Sequence, residues 1–201
     1  MNCYFFGTFN PIHLGHVEIA KRIKEKFNFD KVIFVPSFMP PHKFLELASF
    51  KDRFNMVQLA VCDALDIESK LKPPSYTYRT IEQLLKIDKT DKINFIIGYD
   101  QFFQIENWRE PEILKEKLKF IVYPRKFKNG QTLSTKAFDY LKNKGYDFEI
   151  INMDFLDISS EMIREYIQKG KDITGLTTKE VREYIENNGL YRKSTEKKPV
   201  I

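Results

Sequence analysis

Gly7-Thr8-Phe9-Asn10-Pro11-Ile12-His13-Leu14-Gly15-His16 is the stretch on which the reading of this chain turns. It follows a short apolar run, Cys3-Tyr4-Phe5-Phe6, that predicts a buried strand. It leads into Leu14–Phe27, where Val17, Ala20, Ile23 and Phe27 recur at helical spacing against a charged opposite face. The motif therefore sits on a strand-to-helix turn. His13 and His16 are three residues apart, so they share one side of the helix and can face one ligand. The first N–H groups of a helix have no intrahelical partner, and the helix dipole there favours anions. A glycine, open N–H groups and two imidazoles at one helix start predict a phosphate site.

Working outward, Lys31–Pro36 predicts a second buried strand, which completes a βαβ unit and implies a parallel sheet. The loop Ser37–Leu47 carries Pro40-Pro41-His42-Lys43, held extended by its prolines. Ser49 is expected to cap a helix with Phe50, Phe54, Val57, Val61 and Leu65 inward, and Asp52 completes its capping box. A short strand is expected near Ile67–Leu71, then a helix opening near Thr77. Ile93–Gly98 and Phe120–Tyr123 are further strands, and Phe148–Ile151 is the last. Pro111 opens a helix, and another is expected around Ser134–Asn143. Ser160–Gln168 and Thr178–Asn188 are expected helices, with Gly170 and Gly189 as left-handed caps. The expected fold is α/β: a Rossmann-like, doubly wound, mostly parallel sheet with C-terminal helices.

Composition sets limits on the class. The chain has 201 residues, 42% apolar and 30% charged, which suits a single domain over residues 1–191. Residues 192–201 read as a basic, solvated tail. The N-terminus carries no basic segment before a long apolar stretch, and no run approaches the roughly 20 apolar residues of a membrane span. Cys3, in an expected strand, and Cys62, in an expected helix, read as small buried residues, not as a disulfide framework. A cytoplasmic protein without membrane contact is expected. The net charge of +5 suits an anionic small substrate, and nothing in the chain supplies a nucleic-acid reading helix.

A second constellation, Asp157-Ile158-Ser159-Ser160-Glu161-Met162-Ile163-Arg164, opens another helix after a strand. Serine hydroxyls, helix-start N–H groups and an arginine one turn in can together hold an anion. Serine at a helix N-cap is ordinary, so this segment gains weight only beside the first.

Together, Gly-Thr-Phe-Asn-Pro-x-His-x-Gly-His and Ile-Ser-Ser-x-x-Ile-Arg resemble the two signatures of the nucleotidyltransferase superfamily. Pro40-Pro41-His42-Lys43, Arg53, Ser75-Tyr76-Thr77, Gly98-Tyr99-Asp100, Trp108 and Gly189-Leu190-Tyr191 extend the resemblance, in order, to bacterial nicotinate-nucleotide adenylyltransferase. The resemblance implies adenylyl transfer from ATP to nicotinate mononucleotide in NAD biosynthesis, with Mg²⁺ on the ATP phosphates, by a monomer or homodimer. It implies His13, His16 and Arg164 as catalytic residues. Gly7, Thr8, Phe9, Gly15, Ile158, Ser159 and Ser160 would join them around ATP. Asn10, Lys43, Thr77, Asp100, Trp108 and Arg109 would hold the mononucleotide: Lys43 its phosphate, Asp100 a ribose hydroxyl, Thr77 and Trp108 the ring. Asp100 also reads as a helix N-cap. The alternatives are transfer to nicotinamide mononucleotide or another phosphate acceptor, and a nucleotide-binding regulator without turnover. Two positions depart from the family pattern. Phe6 stands where a glycine is frequent, which suggests a displaced turn. Glu161 stands where a small hydroxyl residue is usual, and its carboxylate is expected to face solvent.

Overall fold

The computed structural model describes residues 1–40, 47–123, 135–151 and 156–192. Five strands, β1 (Asn2–Gly7), β2 (Lys31–Pro36), β3 (Ile93–Gly98), β4 (Leu118–Tyr123) and β5 (Asp147–Ile150), form one sheet in the order β2-β1-β3-β4-β5. Every pairing is parallel. Around the sheet lie α1 (Leu14–Phe27), α2 (Phe50–Ala60), α3 (Thr77–Asp88), α4 (Tyr99–Phe102), α5 (Pro111–Lys117), α6 (Thr135–Asn143), α7 (Ser160–Gln168) and α8 (Lys179–Asn187). The doubly wound α/β fold expected from the sequence is the fold observed.

Side-chain alternation along the strands makes two cores. Cys3, Phe5, Val32, Phe34, Ile96 and Ile121 face α1, α2, α7 and α8 through Ile19, Ile23, Met56, Val57, Ile163, Val181 and Ile185. Tyr4, Val35, Phe95, Ile97, Phe120 and Val122 face α3 to α6 through Ile81, Leu84, Phe102, Leu114, Phe138 and Leu141. The chain leaves β1 toward the first face through α1, and leaves β3 toward the second through α4 and α5. Strand direction and winding thus put a switch point between β1 and β3, which are paired at Cys3↔Asn94 and Phe5↔Ile96. Ligands of open parallel sheets bind beyond the strand ends at such a point.

Three local expectations are corrected. The helix after Ser49 ends at Ala60, and residues 63–65 run along the outer edge of β2 instead. Phe34 N–H donates to the Asp63 carbonyl at 2.9 Å, and Leu65 N–H donates to the Phe34 carbonyl at 2.9 Å. Edge pairing thus outcompetes continuation of the helix, and it covers an otherwise open strand edge. Cys62 lies between the end of α2 and this segment and is exposed, unlike buried Cys3. Residues Glu68–Lys70 form a 3₁₀ turn where a strand was expected. There Asp66 Oδ1 accepts from Ser69 N–H at 3.3 Å and from Ser69 Oγ at 2.5 Å, a local bond that favours a turn. Asp100 is the second residue of α4, whose N-cap is Gly98, so the N-cap reading of Asp100 does not hold. Of the tail, residues 193–201 lie outside the described residues.

The inward face of α2 also differs. Arg53, Met56 and Val57 are buried, while Phe50 and Phe54 are half-buried and stack on each other at 6.0 Å. Arg53 is only 1% exposed. Its Nη1 donates to the Thr8 and Ser37 carbonyls, each at 2.8 Å, and its Nη2 to the Phe38 carbonyl at 3.0 Å. Its Nε donates to the Ala48 carbonyl at 3.2 Å. Burial pushes the guanidinium pKa down, but arginine stays charged, and four carbonyl dipoles solvate it. Replacing it leaves those carbonyls without donors, at a cost of about 1–3 kcal/mol for each that finds no other partner. Arg53→Leu is therefore expected to lower the unfolding free energy by about 3 kcal/mol or more, read from urea denaturation. An unchanged midpoint would show that the carbonyls are satisfied without it.

Candidate active site

β1 ends at Gly7, and the chain turns through Thr8–Ile12 to reach His13, the N-cap of α1. A side chain at Gly7 would put its Cβ 2.7 Å from the Phe9 ring, so this glycine makes room for Phe9. Phe9 itself adopts φ 47°, in the left-handed region. Its ring is buried and meets Phe5 edge-on at 5.7 Å. Phe6 points to the opposite face of the sheet, against Phe95 at 4.8 Å. Its bulk is therefore carried away from the turn, and Gly7 is the glycine that shapes the loop.

The two histidines form a reciprocal cap. His13 N–H donates to His16 Nδ1 at 3.3 Å, and the His13 side chain faces the His16 backbone N–H. Because His16 Nδ1 accepts, the proton of the neutral ring sits on Nε2. The rings lie 3.6 Å apart at 30°, with Phe5 and Phe9 set edge-on against His16 at 5.8 and 5.1 Å. A Cβ on Gly15 would stand 3.0 Å from His13 Nδ1, so glycine there keeps His13 in place.

The second constellation docks on the first. Ser159 caps α7 by accepting from Met162 N–H at 3.1 Å. Ser160 Oγ donates to the Pro11 carbonyl at 2.8 Å, and Arg164 Nη1 donates to the Asn10 carbonyl at 2.8 Å. The Ile158 carbonyl lies over Gly15, 3.7 Å from where a Cβ would be. Both serine hydroxyls therefore bond within the protein. The helix-start N–H groups and the remaining donors of Arg164 are what this side offers an anion. Glu161 is exposed in the first turn of α7, as its departure from the family pattern suggested.

Further residues, given no role by sequence reasoning, complete the frame. Thr177 Oγ1 donates to the Ile12 carbonyl at 3.0 Å, and Leu14 N–H donates to the Leu176 carbonyl at 3.0 Å. Tyr191 Oη and Ala48 N–H both donate to Asn10 Oδ1, at 2.9 and 3.1 Å. Arg53 holds Thr8. Arg53 and Tyr191 are among the residues that carry the family resemblance, and that resemblance is the sequence signal that could have found them.

On the other side of the switch point, Asp100 folds back over Gly98, where a Cβ would lie 2.8 Å from its Oδ1. Thr77 opens α3, directly after Tyr76. Ser75 is bonded twice to Met39, through N–H to the Met39 carbonyl at 2.9 Å and through Oγ from Met39 N–H at 2.9 Å. The Arg109 guanidinium lies 5.8 Å from the Tyr76 ring centre, which joins it to this segment. Trp108 is half-buried, edge-on to Phe95 at 6.5 Å. Lys43 lies outside the described residues. Among the described residues no group of three or more His, Cys, Asp or Glu could hold a metal ion, and no helix is long and apolar enough to cross a membrane.

Residues 4–166 match the cytidylyltransferase-like family model. A probable nicotinate-nucleotide adenylyltransferase of Caldicellulosiruptor saccharolyticus is 38% identical over 94% of this chain and 97% of its own. One of Clostridium tetani is 37% identical with the same coverage. A nicotinic acid mononucleotide adenylyltransferase of Plasmodium falciparum, solved in complex with NaAD, has the same fold at a TM-score of 0.74. It is 23% identical, over 94% of this chain and 96% of that one. The chain belongs to the nicotinate-nucleotide adenylyltransferases of the cytidylyltransferase-like family.

Gly15→Ala separates site from scaffold. Alanine favours a helix over glycine by about 1 kcal/mol, which is offset by the cap that a displaced His13 gives up, so stability is expected to change by no more than about 1 kcal/mol. The new methyl must push His13 aside, and ATP affinity by calorimetry is expected to weaken about tenfold, the loss of one charge-assisted contact. Unaltered affinity would mean that His13 does not face the phosphates.

Proposed function

We propose that this family member transfers the adenylyl group of ATP to nicotinate mononucleotide, giving the deamido dinucleotide and pyrophosphate. The observation that carries the reading is the docking of Ser160 and Arg164 on the Asn10–Pro11 carbonyls, which joins two anion-holding helix starts into one crevice end. An oxygen of the mononucleotide phosphate attacks the α-phosphorus of ATP. The new P–O bond forms as the bond from that phosphorus to the bridging oxygen breaks, and pyrophosphate leaves with the electron pair. No protein nucleophile takes part, so the protein contributes orientation and charge stabilisation.

His13 and His16 would meet the ATP phosphates, with the His16 Nε2–H donating to oxygens that gain charge. Arg164 and the N–H groups at Ser159 and Ser160 would hold the β- and γ-phosphates. The backbone of Gly7, Thr8, Phe9, Gly15 and Ile158 would line the remaining ATP surface. Lys43 and Asn10 would receive the mononucleotide phosphate, Asp100 a ribose hydroxyl, and Thr77, Trp108 and Arg109 the nicotinate end. Mg²⁺ would arrive on ATP, held by phosphate oxygens and water as that ion prefers, and would neutralise phosphate charge. The chain is proposed to act in the cytoplasm as a monomer or homodimer, on small nucleotides and not on nucleic acid.

Pyrophosphate release with ATP and Mg²⁺ is expected to be faster with nicotinate than with nicotinamide mononucleotide. His16→Ala is expected to keep the fold and lower kcat by about 100-fold or more. Preference for the amide would overturn the acceptor, and no release with either would overturn the reaction.

A further inference from the structure

Asn10 is a junction between two loops. Its carbonyl takes Arg164, and its side-chain Oδ1 takes both Ala48 N–H and the Tyr191 hydroxyl. Ala48 immediately precedes Ser49, the N-cap of α2. One amide oxygen thus ties the entry to α2 and the turn after α8 to the turn that carries His13 and His16. Asn10 is 5% exposed, so water does not readily replace these donors.

Tyr191 reaches this oxygen from the far end of the chain. Its backbone adopts φ 64°, a left-handed conformation that disfavours a side chain and persists where the surroundings hold it. The bonds Gly189 N–H to Glu186 carbonyl, 3.2 Å, and Leu190 N–H to Ile185 carbonyl, 3.0 Å, fix the turn after α8 that delivers it. Burial pushes the phenol pKa well above its ordinary range, with the neighbouring Arg164 and Arg53 charges pulling the other way. The hydroxyl therefore keeps its proton at neutral pH and donates it to Asn10.

We propose that Tyr191 is a positioning residue for the reaction: through Asn10 Oδ1 it sets Asn10, the residue assigned above to the mononucleotide phosphate, within the turn that carries His13 and His16. The inference rests on the assignment of Asn10 to the acceptor and of the two histidines to ATP. A residue that fixes one substrate contact relative to another changes the approach of the two reacting atoms more than the hold on either substrate. Small misplacements of reacting atoms are costly, up to about 100-fold for 1 Å. Loss of one hydroxyl that shares its acceptor with Ala48 is expected to lower kcat about tenfold.

The test is Tyr191→Phe, which keeps the ring and removes the donor, alone and combined with Asn10→Ala, in the full chain. kcat is measured by pyrophosphate release. The dissociation constants of a non-hydrolysable ATP analogue and of nicotinate mononucleotide are each measured alone by calorimetry. The expected result is a kcat lowered about tenfold with both constants within about twofold of the unsubstituted protein. In the Asn10→Ala background, Tyr191→Phe should change kcat by no more than about twofold, because the two groups act as one unit. A wild-type kcat in Tyr191→Phe would overturn the inference. So would an undiminished effect in the Asn10→Ala background, or a loss of both affinities in parallel with kcat. Absence of turnover in the unsubstituted protein would instead strike the adenylyl-transfer reading itself, and this inference with it.

Discussion

The turn from Thr8 to Ile12 is backbone that no helix or strand can pair, and it lies where water is largely excluded. Four of its five carbonyls are met by side chains: Thr8 by Arg53, Asn10 by Arg164, Pro11 by Ser160 and Ile12 by Thr177. A buried polar group without a partner costs about as much as several ordinary hydrogen bonds return, so these four donors fix the turn. Three of them come from the last third of the chain. The N-terminal end of α1 therefore acquires its shape only when α7 and the segment before α8 have folded onto it. The N-terminal motif is one half of a site whose other half is more than a hundred residues away in sequence.

This arrangement fits a reaction that needs no covalent help from the protein. The site offers donors of known direction: His16 Nε2–H, the helix-start N–H groups of α1 and α7, and the Arg164 guanidinium. His16 is directed by the His13 N–H at its Nδ1 and by two phenylalanine edges, so its proton is aimed before any ligand arrives. Prealigned donors stabilise developing charge without reorganising as it develops. The switch point between β1 and β3 brings Gly7 and Gly98 to neighbouring strand ends, and the loops beyond them serve the two sides of the crevice.

Much of the fold was legible in the sequence because it follows from periodicity. Five strands, the long α1 and the Ser160–Gln168 helix all announce themselves through apolar spacing, caps and glycines. What was not legible depends on long-range hydrogen bonding. Residues 63–65 pair with Phe34 instead of extending α2, and no local pattern encodes an edge that needs covering. Arg53 replaces an apolar residue on the inward face of α2 because its partners are loop carbonyls. The two signatures did come together in space as their chemistry required. The hydroxyls of Ser159 and Ser160 bond within the protein, however, and the sequence carries no signal for those partners. Tyr191 and Thr177 act on backbone and amide oxygens of the first motif, and sequence carries no direct signal for that.

The central claim is that the site orients ATP and acceptor for a single in-line displacement at the α-phosphorus, with no adenylylated protein between them. The stereochemical course with ATP bearing a chiral α-thiophosphate tests it most directly. One displacement inverts the configuration at phosphorus, and the account predicts inversion in the dinucleotide product. Retention would require two displacements through a protein-bound adenylate and would contradict the account.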